Sequence, residues 1–306
     1  MSRVVVIRRA VSGEPIPFAR NDYRQLLESG LKLLCSAADV STALHELLPG
    51  GPVGMKPNCV AHDKNSTSVA LADALSDLLE ESGWAANDLI VWERTSQELR
   101  QAGFKLNAAS FGRRCLGTDA HPTGYSHYFY TSGEVNSLVS SILTETVNSN
   151  INLPILKDHS LAGLSCGLKN MYGAINNPNK YHDNNCDPHV AHVNNLAPIK
   201  KTQRLTVVDA VSVQYHRGPG YSPKHVAWYG GIVLSKDPVA ADIVGLTILE
   251  HLRTSHGLPT LEASGRPAKY LSSAEFLGLG TAQMDQIDLE VRVLRDDGRL
   301  VAGELW

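Results

Sequence analysis

Residues 53–92 read VGMKPNCVAHDKNSTSVALADALSDLLEESGWAANDLIVW, and this stretch decides the fold class. It begins with a short apolar strand at 53–56 and ends with another at 88–92. Between them, the hydroxyl side chains of 66–68 offer N-caps for a helix with apolar residues at helical spacing over 69–79. Two strands joined by a helix over so short a distance run parallel. The order therefore predicts an α/β fold.

The rest of the chain extends this pattern in both directions. Further strands are predicted at 4–7, 151–156, 205–208, 232–234 and 287–294, and further helices at 22–34, 41–48, 96–103, 134–147 and 237–251. We therefore expect mainly parallel sheets with flanking helices, arranged as two lobes around a cleft. The predicted N-terminal lobe covers residues 1–130 and the C-terminal lobe 131–306, with one large domain as the alternative.

Composition and charge narrow the range of functions. The chain has 306 residues, a net charge of -3 and a charged fraction of 19%, below the ~25% of typical soluble proteins. This low charge favours extensive burial and a homodimer. A slightly acidic chain lacks the basic surface that nucleic acids require, and no apolar run approaches the ~20 residues of a membrane helix. The N-terminus also lacks the charge-first pattern of a signal peptide, so the sequence predicts a cytoplasmic protein.

Polar clusters follow directly on the predicted strands. They are Lys56–Asn58, Glu93–Thr95, Lys157–His159, Asp209 and Ser235–Asp237. In open α/β sheets, ligands bind at the carboxyl ends of the strands. If the strands are parallel, the five clusters meet at one edge of the sheet and form a common site. The alternative is that strands lead into loops, and loops are polar in any case.

The richest segment is KDHSLAGLSCGLKNMYG at 157–173. Its glycines allow a ligand to approach the backbone closely. Residues 165–167 are predicted to open a helix whose free amides face an anion. Lys169 would lie one turn into that helix and reach the same anion, with His159 nearby as acid, base or ligand. The alternative is a glycine-rich helix that packs tightly on a neighbour, with Lys169 in solvent.

Histidines supply two further hypotheses. His189 and His192 share one face of a helix predicted after Pro188 and could bind a transition metal. A third ligand could come from His182, His159, Asp187 or Cys186. A solvated loop with structural histidine–aspartate hydrogen bonds is an equal alternative. His121 and His127 lie in an irregular stretch, and either is a candidate proton shuttle, because imidazole titrates near neutral pH. The alternative for each is a surface or hydrogen-bonded core residue.

Taken in order, these motifs resemble the family called domain of unknown function 362, over about residues 50–290. The matching positions are Met55–Asn58, Lys157–His159, Gly167–Asn170 with Gly173, Val207–Ala210 with Gly218 and Pro219, Asp237–Ala240 with Asp242, and Gly278–Gly280. Many members carry a twin-arginine leader or a ferredoxin-like cysteine cluster, and this chain shows neither. Residues 92–95 replace the glycine-rich turn usual in the family, which indicates a different substrate.

The segment from His159 to Lys169 also looks like the nickel-pincer lactate racemase family. In that family a histidine precedes a Gly-Gly-x-Lys motif whose lysine holds the cofactor, and here Gly167 and Lys169 keep one glycine and the lysine. Such enzymes move a hydride and a proton at a hydroxy-acid carbon with paired histidines, for which His121 and His127 are the nearest candidates. The likeness implies a shared architecture more than a shared reaction.

Together these features predict an enzyme, racemase- or epimerase-like or oxidoreductase-like. It would act on a small carboxylate-like anion by proton or hydride transfer, using a divalent transition metal or a metal-bearing cofactor. The predicted catalytic residues are His159, Lys169 and His121. The predicted substrate-binding residues are Lys56, Asn58, Lys157, Asn170 and Asp209, and the predicted metal ligands are His182, His189 and His192. The alternative is a non-catalytic protein that binds or carries a metal or an anion.

Overall fold

An eleven-stranded sheet runs through the protein, seen in a computed structural model that describes residues 1–10 and 17–306. The strands are β1 (Ser2–Arg9), β2 (Val53–Pro57), β3 (Leu89–Glu93), β4 (Arg114–Gly117), β5 (Tyr130–Ser132), β6 (Val135–Ser137), β7 (Ser149–Leu153), β8 (Ile155–His159), β9 (Gly163–Ser165), β10 (Gln203–Gln214), β11 (Val226–Ser235), β12 (Ile287–Leu294) and β13 (Leu300–Ala302). The helices are α1 (Arg20–Cys35), α2 (Val40–Leu47), α3 (Val69–Glu81), α4 (Ser96–Gln101), α5 (Gly167–Asn170), α6 (His189–Asn194), α7 (Ala197–Thr202), α8 (Pro238–Ser255) and α9 (Tyr270–Phe276). Strands β5 and β6 form a separate hairpin.

The sheet is mixed but mostly parallel, which confirms the α/β class. The strand order is β13-β12-β1-β11-β10-β7-β2-β3-β4, and β8 pairs with β10 and β9. Strand β11 runs antiparallel to both of its neighbours, whereas β10, β7, β2, β3 and β4 all run parallel. Strand β1 lies between β12 and β11, and β2 lies beside β7, so segments from both sides of residue 130 share one sheet.

Apolar layers cover both faces of the sheet. On β1, Val4 and Val6 belong to one layer and Val5 and Ile7 to the other, because successive side chains of a strand point to opposite faces. Helices α1, α2 and α3 supply one layer, and α6, α8 and α9 supply the other. Among the described helices, none combines the length and the apolarity needed to cross a bilayer.

The helix predicted at 134–147 is wrong. The structure has the hairpin strand β6 there, followed by a single π-helical turn at Ile142–Thr146. The serines of this segment hydrogen-bond outside it: Ser137 Oγ lies 2.9 Å from Asn176 Oδ1, and Ser141 Oγ lies 2.7 Å from His121 Nδ1. Serine side chains compete with helical backbone bonding, which explains the loss of the helix despite its apolar spacing.

The strand predicted at 151–156 is in fact two strands that meet at Pro154. Proline has no N–H to donate to a ladder, so β7 ends at Leu153 and β8 begins at Ile155. Strand β8 then continues to His159, three residues beyond the predicted end. The cluster Lys157–His159 therefore lies on a buried strand rather than in a loop.

Candidate functional site

A cavity of about 200 Å³ opens at the carboxyl ends of β2, β3 and β8. Its lining includes Lys56, Asn58, Glu93, Arg94, Glu98, Lys157, His159, Lys169, Asn170, Tyr172, Gly173, His182 and Pro219. Three of the five predicted strand-end clusters thus contribute to one site. Within the third cluster the alternation of a strand separates the side chains: Lys157 and His159 line the cavity, whereas Asp158 pairs with Arg266 at 2.9 Å.

The clusters at Asp209 and at Ser235–Asp237 lie elsewhere, and neither contributes to the lining of this cavity. Strand β10 extends well past its predicted end, which places Asp209 in mid-strand. Its carboxylate accepts hydrogen bonds from the Tyr23 hydroxyl at 3.1 Å and from the Ser68 amide at 3.0 Å, before the start of α3. Strand β11 is antiparallel, so Ser235 ends it at the opposite edge of the sheet.

The base of the cavity is a chain of hydrogen bonds that we call the buried network: Lys157, Asn58, Asn170, Lys56 and Glu93. Lys157 Nζ donates to Asn58 Oδ1 at 3.1 Å, and Asn58 Nδ2 donates to Asn170 Oδ1 at 3.1 Å. Lys56 Nζ lies 3.4 Å from Asn170 Oδ1 and 2.7 Å from Glu93 Oε1. All five side chains are buried, as expected for polar groups that satisfy one another.

Lys157 carries its charge without a carboxylate partner in the part of the chain that the structure describes. The side chain is 1% exposed, and Nζ also donates to the Asn65 carbonyl at 2.8 Å. Burial lowers the pKa of Lys157 to about 7, because an ammonium loses its hydration there. The neutral and charged forms of this amine are therefore both accessible near neutral pH.

Lys169 is the second ammonium of the cavity. It belongs to α5, is 8% exposed, and places Nζ 3.9 Å from the centre of the Tyr172 ring. Burial lowers the pKa of Lys169 to about 8. Nζ lies 3.2 Å from Nε2 of His182, whose Nδ1 is 3.0 Å from the Pro178 carbonyl. Since Nδ1 must donate to that carbonyl, Nε2 of His182 is the acceptor that faces Lys169.

The helix start before Lys169 is not an anion site, contrary to the prediction. The Gly167 and Leu168 amides donate to the Asp242 carboxylate at 2.7 and 3.0 Å. Asp242 comes from α8, and its carboxylate occupies the place of the predicted anion. Complete burial raises the pKa of Asp242 to about 7, against the lowering effect of these amides. This contact fixes the orientation of α5, and hence of Lys169.

His159 is a neutral hydrogen-bond donor. Its Nδ1 accepts from the Leu161 amide at 3.2 Å and from the Ala162 amide at 3.1 Å, so the ring proton sits on Nε2. Burial, followed by the charge of Lys169, lowers the pKa of His159 to about 3. The ring stacks on that of His182 with 6.0 Å between centroids. His159 therefore offers an N–H to a ligand rather than a vacant base.

The predicted metal ligands do not assemble. His182 lines the cavity, but His189 Nε2 lies 3.6 Å from Glu134, and His192 Nδ1 lies 3.0 Å from the Ser132 hydroxyl. The helix α6 turns its histidines toward the β5–β6 hairpin. Residues 1–10 and 17–306 contain no group of three or more histidine, cysteine, aspartate or glutamate side chains that could hold a metal ion.

His121, predicted as a catalytic residue, also lies outside the lining of the cavity. Its ring contacts Ser141 Oγ at 2.7 Å and Thr146 Oγ1 at 3.0 Å. Both contacts hold the π-helical turn that replaces the predicted helix. The imidazole is thus a structural hydrogen-bonding group.

Three charged side chains of the cavity had no predicted role: Glu93, Arg94 and Glu98. Glu93 and Arg94 belong to a predicted strand-end cluster, whereas sequence reasoning missed Glu98. Glu93 was visible only as a charge after a strand, and nothing in the sequence pairs it with Lys56. Arg94 and Glu98 form an ion pair at 2.8 Å. Among the described residues, the carboxylates of Glu93 and Glu98 form ion pairs with Lys56 and Arg94. Lys157 and Lys169 therefore have no carboxylate partner there. The cavity is therefore positive and suits an anion.

Comparison with known proteins identifies a family. A family model described as Domain of unknown function (DUF362) matches residues 53–247, and the chain belongs to this family. No curated protein matches the chain. A crystal structure of a Thermotoga maritima protein from the Northeast Structural Genomics Consortium is similar at 14% identity and a TM-score of 0.41. The alignment covers 81% of this chain and 61% of the Thermotoga chain, so the chain spans less than two thirds of that structure.

Proposed function

We propose that this member of the DUF362 family binds a small carboxylate-like anion in the cavity and transfers a proton to or from it. One observation carries the proposal: Lys157 and Lys169 are buried in one cavity and lack a carboxylate partner among the described side chains. A buried charge without a counter-ion is unfavourable. An anion between the two ammonium groups would remove that penalty and gain charge-assisted hydrogen bonds.

The lysines differ in the roles that their contacts allow. Lys157 Nζ is fixed by two oxygen acceptors, Asn58 Oδ1 and the Asn65 carbonyl, and suits a stationary anchor for the anion. Lys169 Nζ contacts a nitrogen base, Nε2 of His182, which can accept a proton from it. The pKa values of about 7 for Lys157 and about 8 for Lys169 both lie near neutral pH, as an acid or base requires, so the contacts of the two amines distinguish their roles. We therefore assign anion binding to Lys157 and proton transfer to Lys169.

His159 completes this site as a neutral donor. Its Nε2–H can hydrogen-bond to an oxygen of the substrate on which negative charge develops when a neighbouring C–H bond loses its proton. A neutral imidazole suits this task, because it stabilises the oxyanion without first giving up its proton. The predicted acid–base role of His159 thus becomes one of electrostatic stabilisation in our proposal.

A metal ion bound by the chain's own side chains does not fit the described residues. His159 Nδ1 is engaged by two backbone amides, and the histidine pair faces Lys169 rather than carboxylates. Three or more ligands of the usual kinds do not gather anywhere in 1–10 and 17–306. The proposal therefore assigns the roles above to the side chains of the cavity.

A non-catalytic anion carrier is the second candidate. The observation that favours it is the fixed position of Lys157, whose two hydrogen bonds go to oxygens that cannot take up a proton. Binding needs only satisfied contacts, whereas catalysis also needs a base beside the reacting atom.

One experiment separates the two functions. The purified chain is titrated by calorimetry with acetate, propionate, lactate, succinate and phosphate, and the ligands that bind are then incubated with it in D₂O. Loss of the proton next to the carboxylate is followed by ¹H NMR. We expect binding that Lys157→Met abolishes, and exchange that Lys169→Met abolishes, while Lys180→Met at an exposed position changes neither. Binding without exchange would favour the carrier, and no binding at all would overturn the proposal.

A further inference from the structure

Lys169, His182 and the Pro178 carbonyl form a line of hydrogen bonds that ends in the cavity. Lys169 Nζ lies 3.2 Å from His182 Nε2, and His182 Nδ1 lies 3.0 Å from the Pro178 oxygen. A nucleophile beside a base that a third group orients is the arrangement of covalent catalysis. Here the nucleophile is an amine, which reacts with carbonyl carbon.

We infer that Lys169 is a nucleophile that forms a Schiff base with the carbonyl group of a small anionic substrate such as an oxo-carboxylate. The inference rests on the proposed anion site and names the substrate class for it. For substrates that carry a carbonyl group, it replaces the proton transfer at the Lys169 nitrogen by a covalent step at the same atom.

The other lysines of the cavity are less suited to this step. Lys56 Nζ pairs with Glu93 Oε1 at 2.7 Å, and a carboxylate partner favours the unreactive ammonium. Lys157 Nζ donates to two oxygens that cannot accept its proton. Burial lowers the pKa of Lys157 to about 7 and that of Lys169 to about 8, so both can supply free amine near neutral pH. Lys169 differs from Lys157 in having a neutral imidazole nitrogen, which can accept its proton, as a neighbour.

The step balances without an added oxidant or reductant. The neutral amine of Lys169 attacks the carbonyl carbon, a C–N bond forms, and the C–O bond breaks in the resulting carbinolamine. His182 Nε2 takes a proton from nitrogen and returns it to the departing oxygen, which leaves as water. Starting from the ammonium, two of its three protons leave with that oxygen, and one proton and the positive charge remain on the iminium nitrogen.

The surrounding groups place the substrate for this attack. Lys157 would hold the carboxylate, and the Nε2–H of His159 would donate to the carbonyl oxygen, which makes the carbon more electrophilic. The ring of Tyr172 lies beneath Lys169 Nζ and restricts where the amine can point. The substrate would then carry an anion and a carbonyl within one small molecule.

Reductive trapping tests the inference. The full chain is incubated at pH 7.5 with pyruvate or glyoxylate and cyanoborohydride, and adducts are counted by intact mass and located by peptide mapping. Among the lysines, we expect the major adduct at Lys169, formed at least tenfold faster than at the exposed Lys180, because the lowered pKa of Lys169 leaves more free amine. Lys169→Arg keeps the charge and should abolish this adduct, while Lys180→Arg should not affect it.

The pH dependence of labelling in His182→Gln tests whether His182 acts as a base. A purely structural role of His182 would not change that pH dependence. Without the base, labelling of Lys169 should slow at pH 7.5 and recover at higher pH, where the amine loses its proton unaided. Circular dichroism and thermal unfolding verify that each variant is folded.

The outcomes also separate this inference from the proposed function. Pyruvate or glyoxylate that binds by calorimetry but labels Lys169 no faster than exposed lysines would overturn the Schiff base and leave the anion site standing. Absence of both binding and labelling would overturn both. Equal labelling of all lysines, as after denaturation, would show ordinary surface chemistry and also overturn the inference.

Discussion

Lys56 Nζ lies 2.7 Å from Glu93 Oε1, and the two side chains are 1% and 2% exposed. Each is also tied into the site, Lys56 through Asn170 and Glu93 through the Arg94 amide at 2.8 Å. The second oxygen of Glu93 has no hydrogen-bond partner among the described residues. The pair thus neutralises one charge of the cavity and leaves the other ammonium groups for a ligand.

Removing one partner of the Lys56–Glu93 ion pair should destabilise the protein strongly. Lys56→Met leaves the carboxylate of Glu93 buried and unpaired, and we expect a loss of about 3–5 kcal/mol in the free energy of unfolding. The double variant Lys56→Met with Glu93→Leu removes both charges and should recover much of that loss. Urea denaturation of the two single variants and the double variant measures this coupling. Strictly additive losses would contradict a buried ion pair.

Stability should rise with pH above neutrality because of Lys157. Its pKa is about 7 in the folded chain and near its ordinary value when unfolded, so between about pH 7 and 10 the unfolded state holds a proton that the folded state lacks. The free energy of unfolding therefore increases with pH in this window, by at most about 1.4 kcal/mol per pH unit for one group. Lys157→Met should flatten the rise and stabilise the protein at pH 6. Parallel curves for the two proteins would refute this.

Anion binding should take up protons at slightly alkaline pH. A bound anion favours the ammonium forms of Lys157 and Lys169 and raises both pKa values from about 7 and about 8. The apparent binding enthalpy at pH 8 should then depend on the ionisation enthalpy of the buffer, which calorimetry in triethanolamine and in Tris measures without adding a competing anion. Lys157→Met lacks one of the groups that take up protons, and the uptake per bound anion should fall. An enthalpy that does not change with the buffer would speak against charge-driven binding.

Asp209 and His121 should affect stability without affecting the ligand. Asp209→Asn alters the hydrogen bonds to the Tyr23 hydroxyl and the Ser68 amide, and we expect a loss of about 1–3 kcal/mol. His121→Gln should have a smaller effect, since its ring is partly exposed and contacts hydroxyl groups. Anion affinity by calorimetry should stay within twofold of the parent. A tenfold weaker anion affinity in either variant would indicate that the substituted residue belongs to the binding site after all.

Gly173 should be sensitive to a single methyl group. A Cβ atom there would come within 2.4 Å of Glu93 Oε1 and 2.6 Å of Lys56 Nζ. Gly173→Ala should therefore displace the ion pair and weaken anion binding at least tenfold. Gly220→Ala is the matched control, because an added Cβ at that position meets nothing within 4 Å. Calorimetry measures the anion affinity of both variants, and thermal unfolding measures their stability. Equal effects of the two substitutions would contradict the prediction.

Local sequence patterns were sufficient for the fold class and for part of the site. Apolar periodicity and the order of elements predict parallel strands, and a parallel order brings Lys56, Glu93 and Lys157 to one edge. The same reasoning failed for Asp209, because β10 continues to Gln214 and a strand's length is set by its partners rather than by its own residues. It failed for Ser235 because strand direction depends on pairing, and β11 is antiparallel.

Long-range hydrogen bonds account for the other errors. The helix predicted over 134–147 does not form, because its serines hydrogen-bond to Asn176 and His121, which lie outside that segment in sequence. The free helix start before Lys169 was filled by Asp242, a residue from α8. Neither contact can be predicted from the spacing of apolar residues within a segment.

The buried network couples positions that the chain keeps far apart. Its members come from β2, the residues just after it, β3, β8 and α5, so replacing one leaves a polar partner on a different element unsatisfied. Evolution can then rarely alter these positions one at a time. Relatives should therefore either keep all five residues of the buried network or differ at several of them together. Correlated substitution at these positions would be the evolutionary signature of the network.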